Sequence, residues 1–134
     1  MLDSDNYDFS FAGLKTSALY YLRDNPKTNK ADFCASFEQA IVDTLVGKMV
    51  RAIKKFKPKT VILCGGVSAN KKLRTELENE VKKIAPYSLF LTPSLSYCMD
   101  NAAMIAVAGF KKTQKKEYVD CRKLQADPNW ELGR

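Results

Sequence analysis

The sequence predicts an α/β protein, rich in helix, with a small and mainly parallel sheet. Three observations lead there. Val61-Ile62-Leu63-Cys64 is an apolar run without polar alternation, the pattern of a strand buried on both faces of a parallel sheet. Gly65-Gly66-Val67-Ser68-Ala69-Asn70 follows directly, so a tight turn joins that strand to a helix opened by Ser or Asn. Helical periodicity dominates the rest, in the order strand, helix, long helix, strand, helix, strand, helix. Three short strands are a poor floor for so much helix, so the chain reads as part of a larger α/β domain.

Tyr7-Asp8-Phe9-Ser10-Phe11 alternates aromatic and polar residues and reads as a short strand. Leu14, Ala18, Tyr21 and Leu22 then share a helical face that Asn25-Pro26 ends. From Asp32 to Phe56, the residues Phe33, Phe37, Ile41, Leu45, Met49, Ile53 and Phe56 form one apolar stripe. A helix of that span is roughly 37 Å long and calls for a partner of similar length. Pro58 stops it. After Asn70, Leu73, Leu77, Val81 and Ile84 face one way until Pro86. Ser88-Leu89-Phe90-Leu91-Thr92 is the third strand, closed by Pro93. Ala102 to Phe110 has no polar face, which marks a buried helix. The tail from Lys111 is polar and basic, with Pro128-Asn129-Trp130 as a terminal loop. The expected organisation is residues 1–110 as one lobe portion and 111–134 as a basic tail.

Composition sets bounds. The chain has 134 residues, 46% apolar and 28% charged, as in an ordinary soluble globular protein. No apolar run approaches the 20 or so residues that span a bilayer, so no membrane partner is expected. Met1-Leu2-Asp3-Ser4-Asp5 is acidic and polar, unlike a secretory signal. The four cysteines, at 34, 64, 98 and 121, include no CxxC pair, and histidine is absent, so no structural zinc site is expected. Cys34 and Cys64 lie in apolar runs, where a buried free thiol is the default. A reduced, cytoplasmic setting follows. The net charge is +7, concentrated at Lys54, Lys55, Lys57 and Lys59, at Lys71 and Lys72, at Lys82 and Lys83, and at Lys111, Lys112, Lys115 and Lys116. Lysines at helix ends are usually solvated and favour the C-terminal dipole; nucleic acid is the alternative partner.

The turn at Gly65–Asn70 is where chemistry is expected. A helix N-terminus offers free N–H groups and partial positive charge, which suit a phosphate, and paired glycines let backbone approach a ligand closely. Asn70 either caps the helix or reaches a ligand with its amide. Asp100 precedes the last helix, either as its N-cap or as a residue that ligates a metal or orients a nucleophile. Both loops leave the C-terminal ends of strands, the edge where open α/β sheets bind ligands. Lys15 and Thr16 after Gly13 lack the spacing of a phosphate-binding GxxxxGK[ST] loop. Without histidine, no Ser-His-Asp or Cys-His arrangement exists. Glu38 and Asp43, five apart on the long helix, read as its solvated side.

Four segments resemble those of one family, in its order. Asp8-Phe9-Ser10-Phe11-Ala12-Gly13-Leu14-Lys15-Thr16 resembles "DFSFSGLKT". Phe37-Glu38-Gln39-Ala40-Ile41-Val42-Asp43-Thr44-Leu45 resembles "FEDAVVDTL". Gly65 to Arg74 is similar to "GGVSANRxLR", and Tyr97 to Ala106 to "xCTDNGAMIA". These are motifs of the TsaD family, the tRNA N6-adenosine threonylcarbamoyltransferases, formerly called O-sialoglycoprotein endopeptidases.

The resemblance covers about Asp8 to Phe110. It implies the C-terminal portion of an actin/hexokinase/Hsp70-type (ASKHA) ATPase fold. It further implies transfer of threonylcarbamoyl from threonylcarbamoyl-AMP to the adenosine beside the tRNA anticodon, the t6A modification. Gly65 and Gly66 would contact the nucleotide, Asn70 would bind the adenylate, and Asp100 would be a ligand of a divalent metal, iron or zinc. Partner proteins TsaB and TsaE are implied, besides tRNA. The family's metal site also uses two histidines of an HxxxH motif, which this sequence lacks, and its opening phosphate-binding strands are absent as well. Ala12 and Ala102 replace a common Ser and Gly, both mild changes. The isolated chain is therefore expected to be inactive. The alternative is a non-catalytic module that binds nucleotide or RNA.

Overall fold

The computed structural model describes residues 4 and 6–129. It divides into two compact units, Met1–Met99 and Asp100–Arg134. The expectations for Met1, Leu2, Asp3, Asp5 and Trp130 lie outside the described residues.

In the first unit, helix α1 (Ala12–Asp24) ends at Asn25, as the Asn-Pro pair predicts. Helix α2 (Lys30–Phe56) is capped by Asn29, whose side chain accepts the Ala31 N–H at 3.0 Å. It closes at Lys57, in a left-handed conformation (φ 46°), just before Pro58. Lys54 and Lys55 occupy its last turn, where they complement the helix dipole. Strand β1 (Thr60–Ile62) follows, then one 3-10 turn (Gly66–Ala69) and helix α3 (Lys71–Ile84). Strand β2 (Leu89–Leu91) pairs with β1 in parallel, Thr60 opposite Leu89, Val61 opposite Phe90 and Ile62 opposite Leu91. Parallel strands need a crossover, and α3 provides it.

The core lies between α2, α3 and β1. Val42, Val46 and Ile53 of α2 meet Leu73, Leu77 and Val81 of α3, with Val61 and Ala85 beside them. The buried face of α3 is the predicted one. On α2 the buried line instead runs through Val42 and Val46, with Leu45 and Met49 partly covered. Helix α3 has 14 residues, about half the length of α2, so it covers only the C-terminal half of the predicted stripe. Phe33 and Phe37, in the other half, line an open groove against Leu14, Ala18 and Tyr21 of α1.

Several expectations are corrected. Tyr7–Phe11 is not a strand, and among the described residues the sheet has two strands rather than three. Side chains of α2 take the carbonyls that a neighbouring strand would have taken. The Lys48 ammonium, buried to 2% exposure, donates to Asp8 O (2.6 Å) and Asn6 O (3.2 Å). Arg51 also donates to Asn6 O, and its guanidinium lies over the Tyr7 ring at 5.3 Å. Strand β1 is buried on one face only: Val61 is inside, while Ile62 and Cys64 are exposed. A two-stranded sheet covered by helices on one face leaves the other face open. Cys34 is exposed too, and Cys98 is the buried thiol. Cys34 falls on α2 ahead of the part that α3 covers.

In the second unit, helix α4 (Ala102–Gln114) is capped by Asn101, whose side chain accepts the Met104 N–H at 2.9 Å. Asp100 is therefore not the N-cap. The helix was expected to be buried, yet Met104, Ile105, Val107 and Phe110 are exposed. Among the described residues of this unit, α4 is the one helix, so no second helix of the unit covers its apolar surface. In the tail, the Arg122 guanidinium and N–H bond the Asp120 carboxylate and hold its pKa below the usual range. No helix among the described residues is long and apolar enough to cross a membrane.

Candidate nucleotide-binding turn

Strand β1 delivers its C-terminal end to Gly65, which adopts φ 88° and ψ 175°. That backbone region is essentially closed to residues with a Cβ, so glycine is required there on conformational grounds. A Cβ built on Gly65 meets no atom within 4 Å. Gly65→Ala is therefore expected to cost about 1–3 kcal/mol through backbone strain alone, read as a lower urea midpoint. At Gly66 a Cβ would stand 3.0 Å from Met99 Sδ, the end of an exposed, flexible side chain that can move aside. The turn closes with Ser68 N–H donating to Gly65 O and Asn70 N–H to Val67 O, both at 3.0 Å.

Asn70 is the N-cap of α3. Its Oδ1 accepts the Leu73 N–H at 2.9 Å, and its Nδ2 donates to Glu38 Oε1 of α2 at 2.6 Å. Glu38 is thus half-buried and engaged, not part of a solvated face. Helix geometry leaves the N–H groups of Lys71 and Lys72 without intrahelical acceptors, so the α3 terminus keeps donors for an anion. Ser68 is fully buried beneath the turn, and its Oγ has no hydrogen-bond partner among the described residues.

Arg74, one turn into α3, ties the turn to the loop after β2. Its guanidinium donates to Ser68 O on one side. On the other it reaches Thr92 Oγ1 (3.2 Å), Pro93 O (2.7 Å) and Cys98 Sγ (3.1 Å). One planar fork with fixed donors therefore sets the spacing of two loops at the sheet's C-terminal edge. Sequence reasoning placed Glu38 on the solvated side of α2 and gave Arg74 no role beyond the motif it ends. The signals for Arg74 were its place at the end of the Gly65–Arg74 segment and its position four residues after Asn70, on the first turn of the helix.

The structure brings Gly65, Gly66 and Asn70 into one turn. Asp100 is exposed and begins the second unit, just ahead of α4. Among the described residues, no three His, Cys, Asp or Glu side chains gather as metal donors, and the sequence has no histidine. Asp100 can supply one hard oxygen ligand, and no further donor cluster accompanies it among the described residues. A groove of about 630 Å³ between α1 and α2 includes none of these residues.

A strand–glycine turn–helix at the C-terminal edge of a parallel sheet defines an α/β protein with an anion-ready turn. The family model described as "TsaD: tRNA N6-adenosine threonylcarbamoyltransferase" matches residues 2–107, and the chain belongs to that family. Similar proteins carry the same description. One from Lactobacillus acidophilus is 42% identical over 98% of this chain and 39% of its own length. One from Thermosipho melanesiensis is 47% identical over 83% of this chain and 34% of its own. A third, from Desulfotalea psychrophila, is 46% identical over the same shares. The chain thus spans little more than a third of the length of these relatives.

Proposed function

We propose that this chain forms one wall of the donor pocket of a tRNA N6-adenosine threonylcarbamoyltransferase, within a longer site. In this reading residues 1–110 are the C-terminal lobe portion of an ASKHA-type fold, and 111–134 are a basic tail. The donor is threonylcarbamoyl-AMP. The N6 amine of a tRNA adenosine forms a bond to the carbamoyl carbon, the bond from that carbon to the phosphate oxygen breaks, AMP leaves, and the amine loses a proton. Gly65 and Gly66 let the backbone approach the adenylate, the α3 terminus faces its phosphate, and Asn70 holds it through its amide. Asp100 gives one ligand to a divalent iron or zinc whose remaining donors come from beyond this chain. Exposed lysines on the helix ends suit tRNA, and TsaB and TsaE are the expected protein partners in the cytoplasm.

The observation that supports this reading most is the turn itself: family motif, glycine-only backbone and helix terminus coincide within six residues. The test is an assay of the 134-residue chain with threonylcarbamoyl-AMP and unmodified tRNA, with and without added iron or zinc. No transfer is expected, and turnover by the chain alone would overturn the claim that its site is incomplete. Salt-dependent tRNA binding without any response to AMP would favour the basic surface, and so the non-catalytic RNA-binding alternative.

A further inference from the structure

We propose that Glu38 is a positioning residue for Asn70, fixing which way its amide faces and therefore which groups it presents to a nucleotide. The proposal rests on the reading of the Gly65–Asn70 turn given above.

Capping does not explain the pair. A cap needs one acceptor, and Asp or Ser would serve as well as Asn. What the carboxylate of Glu38 requires is a donor, and only the amide of Asn70 offers an acceptor to Leu73 and a donor to Glu38 together. The backbone N–H of Leu73 must face oxygen, and the Glu38 carboxylate must face nitrogen. The two neighbours thus select one of the two amide orientations, and the opposite one would set Oδ1 against the carboxylate. The bond to Glu38, at 2.6 Å, is charge-assisted and links α2 to the first turn of α3. Next to it on α2, Gln39 donates to Glu76 of α3 at 3.3 Å, so the two helices are joined by polar contacts beside the turn.

The remaining capacity of Asn70 is then defined. One Nδ2–H and one Oδ1 lone pair are free for a ligand, a donor beside an acceptor. Such an edge matches a hydroxyl or amide of the nucleotide.

The test combines a spectrum with a titration on the 134-residue chain, using AMP as the probe. Side-chain amide signals of Asn70, assigned by their loss in Asn70→Asp, report the hydrogen bond directly. Glu38→Ala is expected to move them toward the positions of a free amide while the Leu73 and Leu77 methyl signals stay in place. Glu38→Gln keeps an acceptor and should keep most of the shift. AMP affinity should fall about tenfold in Glu38→Ala and stay within about threefold in Glu38→Gln. Unmoved Asn70 signals in Glu38→Ala would overturn the proposal, as would unchanged AMP affinity. If the wild-type chain takes up no AMP, the reading of the turn as a nucleotide site falls, and the amide signals still decide whether Glu38 sets the orientation.

Discussion

Leu77→Ala lowers the unfolding free energy by about 2–5 kcal/mol. Leu77 is 2% exposed, at the middle of α3, facing the strip that Val42 and Val46 present from α2. Truncation removes three carbons from a site whose walls are helices and a strand, so the space cannot fully collapse. Few side chains make up this core, and domains of ordinary size hold only about 5–15 kcal/mol in total. The variant should therefore lose much of its cooperative transition in urea, followed by far-ultraviolet circular dichroism. Leu19→Ala is the control: Leu19 is 66% exposed on α1 and should change stability by less than about 0.5 kcal/mol. Equal losses in the two variants would mean that α2, α3 and β1 do not share the core described.

Arg74→Ala is the second large effect, at about 2–3 kcal/mol. The side chain bonds two loops at once, so its removal strands the carbonyls of Ser68 and Pro93 together. An orphaned acceptor in partly buried surroundings carries its full desolvation cost, which is why the loss exceeds that of one hydrogen bond. Arg74→Lys should recover less than half, because an ammonium cannot span acceptors that lie on opposite sides of a planar fork. The expected signature is specific: increased thiol reactivity of Cys98, now buried beside the guanidinium, ahead of global unfolding. Retention of slow Cys98 reactivity in Arg74→Ala would show that the loops hold their spacing without it.

Much of the turn and of α3 was legible because short-range physics specifies them. Glycine at φ 88°, an Asn cap and apolar residues at Leu73, Leu77 and Val81 all depend on neighbours within one or two helical turns. The family resemblance rested on the same segments. What failed depended on partners far along the chain. The alternation in Tyr7–Phe11 looked like a strand, but α2 supplied Lys48 and Arg51 to its carbonyls in place of a neighbouring strand. The apolar stripe of α2 gave a helix correctly and misjudged its buried line, because α3 is too short to cover it. Ala102 to Phe110 gave a helix correctly and misjudged its burial, because periodicity cannot say whether a covering element is present. Glu38 was read as solvated and Arg74 was given no role, because charged residues on helices usually are solvated; only their placement across from Asn70 and Pro93 gives them a task.

The most direct measurement is a calorimetric titration of the chain with AMP, for the wild type and for Asn70→Ala. A nucleotide wall at Gly65–Asn70 predicts saturable one-to-one binding by the wild type and an affinity at least about tenfold weaker in Asn70→Ala. Absence of AMP binding by the wild type, or the same affinity in both proteins, would contradict it.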